Sequence, residues 1–200
     1  GGPQHRIEKS IKALARISDL HVIARAPEHA IGGARALQFY RQYCRELGIA
    51  PSAKGLFANR YVNAVQRRYR KYVHPEADAD HILRHAESHD IKVIWFGYGN
   101  ISLPLVRSVK LRKPGLKVVC DTDSGWSRFS LRELPYETDP VRRAEIERQG
   151  REKEREEQEW VDLCDVTTAV SAVDADYYRH FSDEPGRVMQ FSNVIDTDTY

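Results

Sequence analysis

Two acidic side chains stand where a predicted buried strand ends. The apolar, β-branched run at 116–120 is followed directly by Asp121, Thr122 and Asp123. In an extended chain the two carboxylates point the same way and could hold a divalent cation that bridges a diphosphate. They could equally supply a catalytic base, or accept a hydrogen bond from a sugar hydroxyl. The structural alternative is a turn in which Asp123 caps the following backbone.

Three histidines, His81, His85 and His89, recur every four residues in a predicted helix over 79–89. This spacing places them on one face, as metal ligands on a helix require. The neighbouring stripe of the same helix is apolar, which predicts that the histidines lie on the adjoining, exposed face. We therefore interpret them as a solvated surface and expect no metal, with a metal site as the alternative.

The segment 48–75 is basic and contains no acidic residue. Its centre carries Arg67, Arg68, Arg70 and Lys71, interleaved with tyrosines on a predicted helix. Such a helix suits an anionic membrane surface or the phosphate of a lipid-linked substrate, and it would also suit a nucleic-acid backbone. A solvated helix whose tyrosines pack on the core is the structural alternative.

These groups must be positioned by alternating strands and helices. Apolar runs predict strands at 20–24, 91–96, 116–120, 166–170 and 187–191, and helical periodicity predicts helices at 7–17, 34–47, 79–89, 101–111, 140–163 and 172–181. Gly48 is placed to end the second of these helices. The alternation predicts an α/β fold, a Rossmann-like doubly wound parallel sheet covered on both faces.

In such sheets ligands bind beyond the carboxyl ends of the strands, at the switch in strand order. The residues that leave those ends are 97–100, 121–124, Ser171 and Asn193. Ser171 and Asp174 also form a capping box, which gives Ser171 a structural role.

Composition limits the class of protein further. With 200 residues, of which 41% are hydrophobic, the chain can bury a sizeable core as one domain, which excludes wholesale disorder. The longest uncharged stretch, 93–106, is too short and too rich in Gly and Pro to cross a membrane, and we expect no signal peptide. Three widely spaced cysteines predict free thiols in a reducing cytoplasm.

Charge is unevenly distributed along the chain. Residues 1–120 carry 21 Lys and Arg against 9 Asp and Glu, whereas residues 121–200 carry 10 against 20. This asymmetry could mark a surface for an anionic partner, or the two halves could compensate each other in space.

Three segments resemble a known family. The opening GGPQHRIEKSIKALARI resembles the glycine loop and first helix of the family 4 glycosyltransferases, which have the two-domain GT-B fold. CDVTTAVSAVDADYY followed by RVMQFSNVID resembles the end of their N-terminal domain, and VVCDTDSGWSRFSLRELP resembles the acceptor-side loop of a bacterial branch. The resemblance covers most of the chain in order and is weaker between residues 27 and 79.

The resemblance implies a hexosyltransferase that moves a sugar from a nucleotide-sugar co-substrate to an acceptor with retention of configuration, without metal or cofactor. Residues 1–192 would form the acceptor-binding N-terminal domain, and 193–200 would begin the linker to a C-terminal domain that holds most of the donor. The family's first strand and its donor domain would lie outside these 200 residues, which we expect to be inactive alone.

The resemblance also assigns roles to residues. Gly1 and Gly2 match the loop whose backbone N–H groups approach the donor phosphate. Asp121, Thr122 and Asp123 match a loop that often bears a histidine facing the reacting sugar. Because Thr122 occupies the place of that histidine, Asp123 or Asp121 would take the acceptor proton instead.

The remaining implied roles concern the acceptor and the cellular location. The residues expected to line the acceptor cleft are Tyr98, Asn100, Thr122, Ser124, Trp126 and Arg128, with the indole suited to stacking on sugar. The acceptor would be a glycan, a lipid-linked or a small molecule in polysaccharide biosynthesis. The basic segment would bring the protein to the inner face of the membrane, and no nucleic-acid partner is expected.

Two other functions stay open from the residues. One is a metal-dependent nucleotide-sugar enzyme that uses Asp121 and Asp123. The other is a non-catalytic binding module whose basic helix recruits a membrane or nucleic acid.

Overall fold

The computed structural model describes residues 2–26, 30–54, 75–98 and 101–193. These residues form two compact units, the first ending at Ile91 and the second beginning at Lys92. This division was not predicted from the sequence, which indicated one domain over 1–192. The two units are described separately below.

The first unit contains a two-stranded parallel sheet. Strands β1 (His21–Ala24) and β2 (Glu46–Ile49) pair in register from His21 opposite Glu46 to Ala24 opposite Ile49. The helices described in this unit are α1 (Gly2–Leu14), α2 (Gly33–Tyr43), the short α3 (Pro51–Lys54) and α4 (Pro75–Ser88).

A buried carboxylate joins three segments of the first unit. Asp78, in the first turn of α4, is fully buried and accepts hydrogen bonds from the Ser52 backbone N–H at 2.9 Å and the Ser52 hydroxyl at 2.6 Å. Arg25, which follows β1, donates to the same carboxylate from Nε at 3.3 Å. Because charge-assisted hydrogen bonds are among the stronger ones, Asp78 fixes the start of α4 to the carboxyl ends of both strands.

The second unit contains a four-stranded parallel sheet with the order β3-β4-β5-β6. Its strands are β3 (Val93–Gly97), β4 (Lys117–Asp121), β5 (Val166–Ala169) and β6 (Val188–Gln190). The connecting helices are α5 (Leu103–Arg112), α6 (Trp126–Leu131), α7 (Pro140–Leu163) and α8 (Ala172–Arg179).

One face of this sheet is buried and the other is partly exposed. Phe96, Val118 and Val188 lie on the buried face, whereas Val93 and Met189 on the opposite face are 52% and 56% exposed. The strand order explains this difference, because right-handed crossovers between sequential parallel strands place their helices on the same side.

Asp165, just before β5, ties helix α5 to strands β4 and β5. Its carboxylate accepts hydrogen bonds from Lys110 Nζ at 3.0 Å, Lys117 Nζ at 2.8 Å and the Val118 backbone N–H at 3.0 Å. Partial burial alone would raise the pKa of Asp165, but these hydrogen bonds outweigh it and lower the pKa to about 2.

Most predicted elements are confirmed within a few residues, and α7 has the predicted bounds. The prediction of a helix over 34–47 is wrong at its end, because α2 stops at Tyr43 and Glu46–Ile49 pairs with β1. Gly48 therefore lies within a strand and does not end a helix. Helix α6 was not predicted.

The α/β class with parallel strands is confirmed, but the sheet arrangement differs from the prediction. The described strands form two sheets instead of one. The four-stranded sheet keeps sequential order, and among the described residues no switch in strand order is found.

All three cysteines are free and buried, as predicted for free thiols. Burial raises the pKa of Cys44 to about 11, which keeps this thiol protonated at neutral pH. Within the described part of the chain, no helix combines the length and apolar character needed to cross a bilayer.

Asp165→Asn is predicted to destabilise the protein by about 1–2 kcal/mol at neutral pH, because the native carboxylate has a pKa of about 2. A depressed pKa adds stability above the unfolded value of about 4, and this stability is lost as the pH falls from about 4 to about 2. In urea unfolding measured from pH 7 to pH 2, the free energies of unfolding of the parent protein and of Asp165→Asn should converge. Asp162→Asn, at an exposed position, is the control, and a constant difference across that range would contradict the prediction.

Candidate functional site

The parallel register brings several strand ends to one edge of the four-stranded sheet. Gly97, Asp121 and Thr168 lie opposite one another on β3, β4 and β5. The segments that leave these strands therefore emerge side by side at the carboxyl edge, where ligands of open α/β sheets bind. The loop after β4, residues 122–125, leads directly into α6.

The first two residues of the acidic motif are buried and join neighbouring strands. Asp121 is 4% exposed, and its Oδ1 accepts a hydrogen bond from Thr168 Oγ1 at 2.6 Å. Thr122 has no exposed surface, and its hydroxyl donates to the Thr168 carbonyl oxygen at 2.6 Å. Both side chains thus hold the end of β4 against β5, and Thr122 is not accessible to an acceptor.

Asp123 and Trp126 form a partly exposed pair beyond the strand end. The Trp126 indole Nε1–H donates to Asp123 Oδ1 at 3.2 Å, and Trp126 is 43% exposed. The hydrogen bond fixes the ring relative to the carboxylate. An aromatic surface and an anionic acceptor are therefore presented together.

Arg128 lies on α6 near Trp126. Its guanidinium is 5.4 Å from the centre of the Tyr177 ring, an arrangement in which the ring attracts the cation. Arg128 Nη1 also donates to the Val173 carbonyl oxygen at 3.4 Å and is 3.6 Å from Asp174 Oδ1. We call the exposed surface of Asp123, Trp126 and Arg128 the α6 surface.

A fully buried carboxylate on α7 fixes the start of α6. Glu157 accepts hydrogen bonds from the Ser127 backbone N–H at 3.1 Å, the Ser127 hydroxyl at 2.5 Å and the Tyr177 hydroxyl at 2.8 Å. Burial raises the pKa of Tyr177, and the Glu157 charge raises it further, so the phenol remains a protonated donor. A negative charge at the first turn of α6 also complements the helix dipole.

Close packing of α6 on α7 supports the same arrangement. A Cβ atom added to Gly150 would stand only 2.3 Å from Leu131 Cδ2, so α6 approaches α7 more closely than a side chain here would allow. Tyr178 packs from α8, where its hydroxyl donates to the Ser124 carbonyl oxygen at 3.0 Å. The α6 surface is therefore built on a rigid base.

The other predicted site residues are spread over the molecule. Tyr98 follows β3, is half-buried and has a φ of 57°, an uncommon left-handed conformation for a bulky residue. Ser124 is half-buried in the loop, and Gly2 is the first residue of α1 in the other unit. The predicted site residues outside the described residues are Gly1, Asn100, Arg67, Arg68, Arg70 and Lys71.

Sequence reasoning missed Glu157 and Tyr177. Glu157 lies in a helix whose residues are charged on nearly every side, so no pattern distinguishes it from its exposed neighbours. The structural role predicted for Ser171 is confirmed, because its Oγ caps α8 by accepting from the Asp174 N–H at 3.1 Å, and the same hydroxyl donates to Asp174 Oδ2 at 2.6 Å. That cap starts α8, which carries Tyr177 to Glu157.

Two of the three predicted histidines, His81 and His85, are less exposed than expected. His85 is half-buried and His89 is exposed, and both lie near His21 of β1 and Glu46 of β2. Partial burial lowers the pKa of His85, which favours its neutral ring. The expectation of a purely solvated face is therefore wrong for His85.

Comparison of the chain with protein-family models, with curated proteins and with solved structures gave no match. The geometry of the described residues is therefore the basis for any functional conclusion.

Glu157→Gln is predicted to lower the free energy of unfolding by about 2 kcal/mol, because it weakens three hydrogen bonds to a buried charge. The matched control is Glu159→Gln, which removes an exposed ion pair with Arg107 and should cost less than about 1 kcal/mol. Urea unfolding at neutral pH measures both. Equal losses in the two variants would contradict the role given to Glu157.

Proposed function

We propose that this chain is the acceptor-binding N-terminal domain of a retaining GT-B glycosyltransferase similar to family 4. The observation that carries the proposal is the α6 surface, where the exposed Trp126 indole is hydrogen-bonded to the Asp123 carboxylate just beyond the carboxyl edge of a parallel sheet, and the Arg128 guanidinium is exposed on the same short helix. The sequence resemblance of the segment around this surface to an acceptor-side loop points the same way.

The three groups suit a saccharide. The face of Trp126 offers a flat apolar surface on which the C–H face of a sugar ring can stack. Asp123 accepts hydrogen bonds from sugar hydroxyls, and Arg128 donates them. Together they would bind a polyhydroxylated acceptor and orient one hydroxyl.

Asp123 is also the better of the two aspartates for taking the acceptor proton. A general base must reach the hydroxyl it deprotonates, and Asp123 is only half-buried at the surface. Asp121 is buried and hydrogen-bonded to Thr168, so we assign it the structural role of holding the end of β4 against β5. In the proposed reaction the acceptor oxygen displaces the nucleoside diphosphate at the sugar, and the proton passes to Asp123.

The donor would be a nucleotide-sugar, held mainly by the family's second domain. The acceptor would be a glycan or a lipid-linked saccharide. The basic segment around Arg67, Arg68, Arg70 and Lys71, outside the described residues, would contact the phosphate of such a lipid at a membrane.

The activity test compares sugar transfer and donor hydrolysis by this 200-residue chain with a version extended at both ends from its source gene. The proposal expects turnover of a nucleotide-sugar in the extended form only. Turnover that requires Mn²⁺ and Asp121 would favour the metal-dependent alternative. Absence of turnover in both forms would contradict the transferase.

Trp126→Ala is predicted to weaken saccharide binding about fivefold, because stacking of a ring on an aromatic face contributes on the order of 1 kcal/mol. Asp123→Asn should weaken binding less and abolish transfer in the extended form. Calorimetric titration with a panel of oligosaccharides, with and without a lipid phosphate, measures the affinities. Phe129→Ala, an exposed aromatic on the same helix, is the control and should bind like the parent.

Equal loss in Phe129→Ala and Trp126→Ala would contradict a specific saccharide surface. If charge reversal of Arg67, Arg68 and Arg70 abolished all binding while Trp126→Ala had no effect, the chain would be a binding module for a membrane or nucleic acid.

A further inference from the structure

Four metal-ligating side chains converge at the other end of the first unit's sheet. They are His21 at the start of β1, Glu46 at the start of β2, His85 in the last turn of α4 and His89 directly after that helix. One ligand atom from each lies within 4.8 Å of every other. We call this set the histidine cluster.

The fold explains the convergence. Strand register places His21 directly opposite Glu46 on neighbouring strands. Four-residue spacing places His85 and His89 on one face of the α4 terminus, one turn apart. Because Asp78 fixes the start of α4 to the carboxyl ends of the strands, the helix returns along the sheet and its C-terminus reaches their amino ends.

The distances are close to those of a tetrahedral metal site. His21 Nδ1 is 3.0 Å from His85 Nε2 and 3.7 Å from Glu46 Oε2, and His89 Nε2 is 3.5 Å from the same oxygen. Ligand atoms about 2.0–2.1 Å from a tetrahedral Zn²⁺ lie roughly 3.3 Å apart. Small side-chain rotations would therefore complete such a coordination sphere.

The hydrogen bonds of His89 leave the correct nitrogen available. Its Nδ1 is 3.0 Å from the His85 carbonyl oxygen and 2.9 Å from Ser88 Oγ; the carbonyl oxygen can only accept, so that contact is a hydrogen bond in the tautomer with the proton on Nδ1. In the neutral ring, Nε2 then directs its lone pair toward the Glu46 carboxylate. A backbone carbonyl that receives the second ring N–H is a typical partner of metal-bound histidine, since it fixes the tautomer.

The short contact between His21 and His85 has the same consequence. At 3.0 Å the two facing nitrogens can share only one proton, and two protonated rings would repel each other. A cation between them satisfies both lone pairs. The burial of the four side chains suits a bound ion. The His21 side chain is 7% exposed, whereas the Glu46 and His89 side chains are 48% and 36% exposed, so an ion can enter from solvent on their side.

We infer that the histidine cluster binds a divalent transition-metal ion of the zinc class through three imidazole nitrogens and one carboxylate oxygen. Imidazole and carboxylate ligands suit Zn²⁺, and four protein ligands leave no position for substrate. The site is therefore structural and ties the end of α4 to both strands. It lies within the first unit and is independent of the proposed transferase reaction.

The test is calorimetric titration of the full 200-residue chain, freed of metal, with Zn²⁺. The inference expects one ion per chain and a melting temperature raised by about 5–10 °C at zinc concentrations a hundredfold above Kd. His89→Ala and Glu46→Gln should each weaken Zn²⁺ binding by about 100-fold or more, since loss of even an outer partner costs 10–100-fold. Co²⁺ in place of Zn²⁺ should give the intense visible absorption of a tetrahedral site.

His180→Ala, an exposed histidine in the second unit, is the matched control and should bind Zn²⁺ like the parent. Circular dichroism without metal establishes that each variant is folded. Failure of the parent chain to bind Zn²⁺, or parental affinity in both His89→Ala and Glu46→Gln, would overturn the inference. Sugar transfer is not measured here, so the outcome does not depend on the proposed function.

Discussion

The candidate acceptor site depends on a single buried carboxylate. Glu157 accepts hydrogen bonds from a backbone N–H and two hydroxyls, and in doing so it fixes where α6 begins. Loss of a buried acceptor leaves its donors with weaker or missing hydrogen bonds, and this costs more free energy than each hydrogen bond contributes on its own. Trp126 and Arg128 stand on either side of Ser127, so their directions follow from this anchor.

Similar carboxylate anchors recur where strands and helices meet. Asp165 binds two lysines and a backbone N–H at the start of β5, and Asp78 joins α4 to the ends of β1 and β2. In each case a charged group inside the unit is fully hydrogen-bonded, which makes its position specific. The same positioning of α4 brings His85 and His89 to the amino ends of the strands.

Local patterns predicted the elements better than their assembly. The strand at 116–120 and helix Pro140–Leu163 were predicted from local sequence patterns alone. Strand pairing is long-range, so the local pattern placed Glu46 and Leu47 at the end of a helix, whereas the structure pairs Glu46–Ile49 with β1. Glu157 and the partnership of His21 with His85 depend on contacts across 30 and 64 residues, which no local signal reveals.

The most direct test of the account is NMR titration of the three tryptophan indole N–H signals with the tightest-binding saccharide of the panel. The account predicts that the Trp126 signal shifts, while those of Trp95 and buried Trp160 remain unchanged. In Glu157→Gln the same saccharide should bind at least several-fold more weakly, because α6 loses its anchor. No saccharide-dependent shift of Trp126 in the parent chain, or equal shifts of all three signals, would contradict the account.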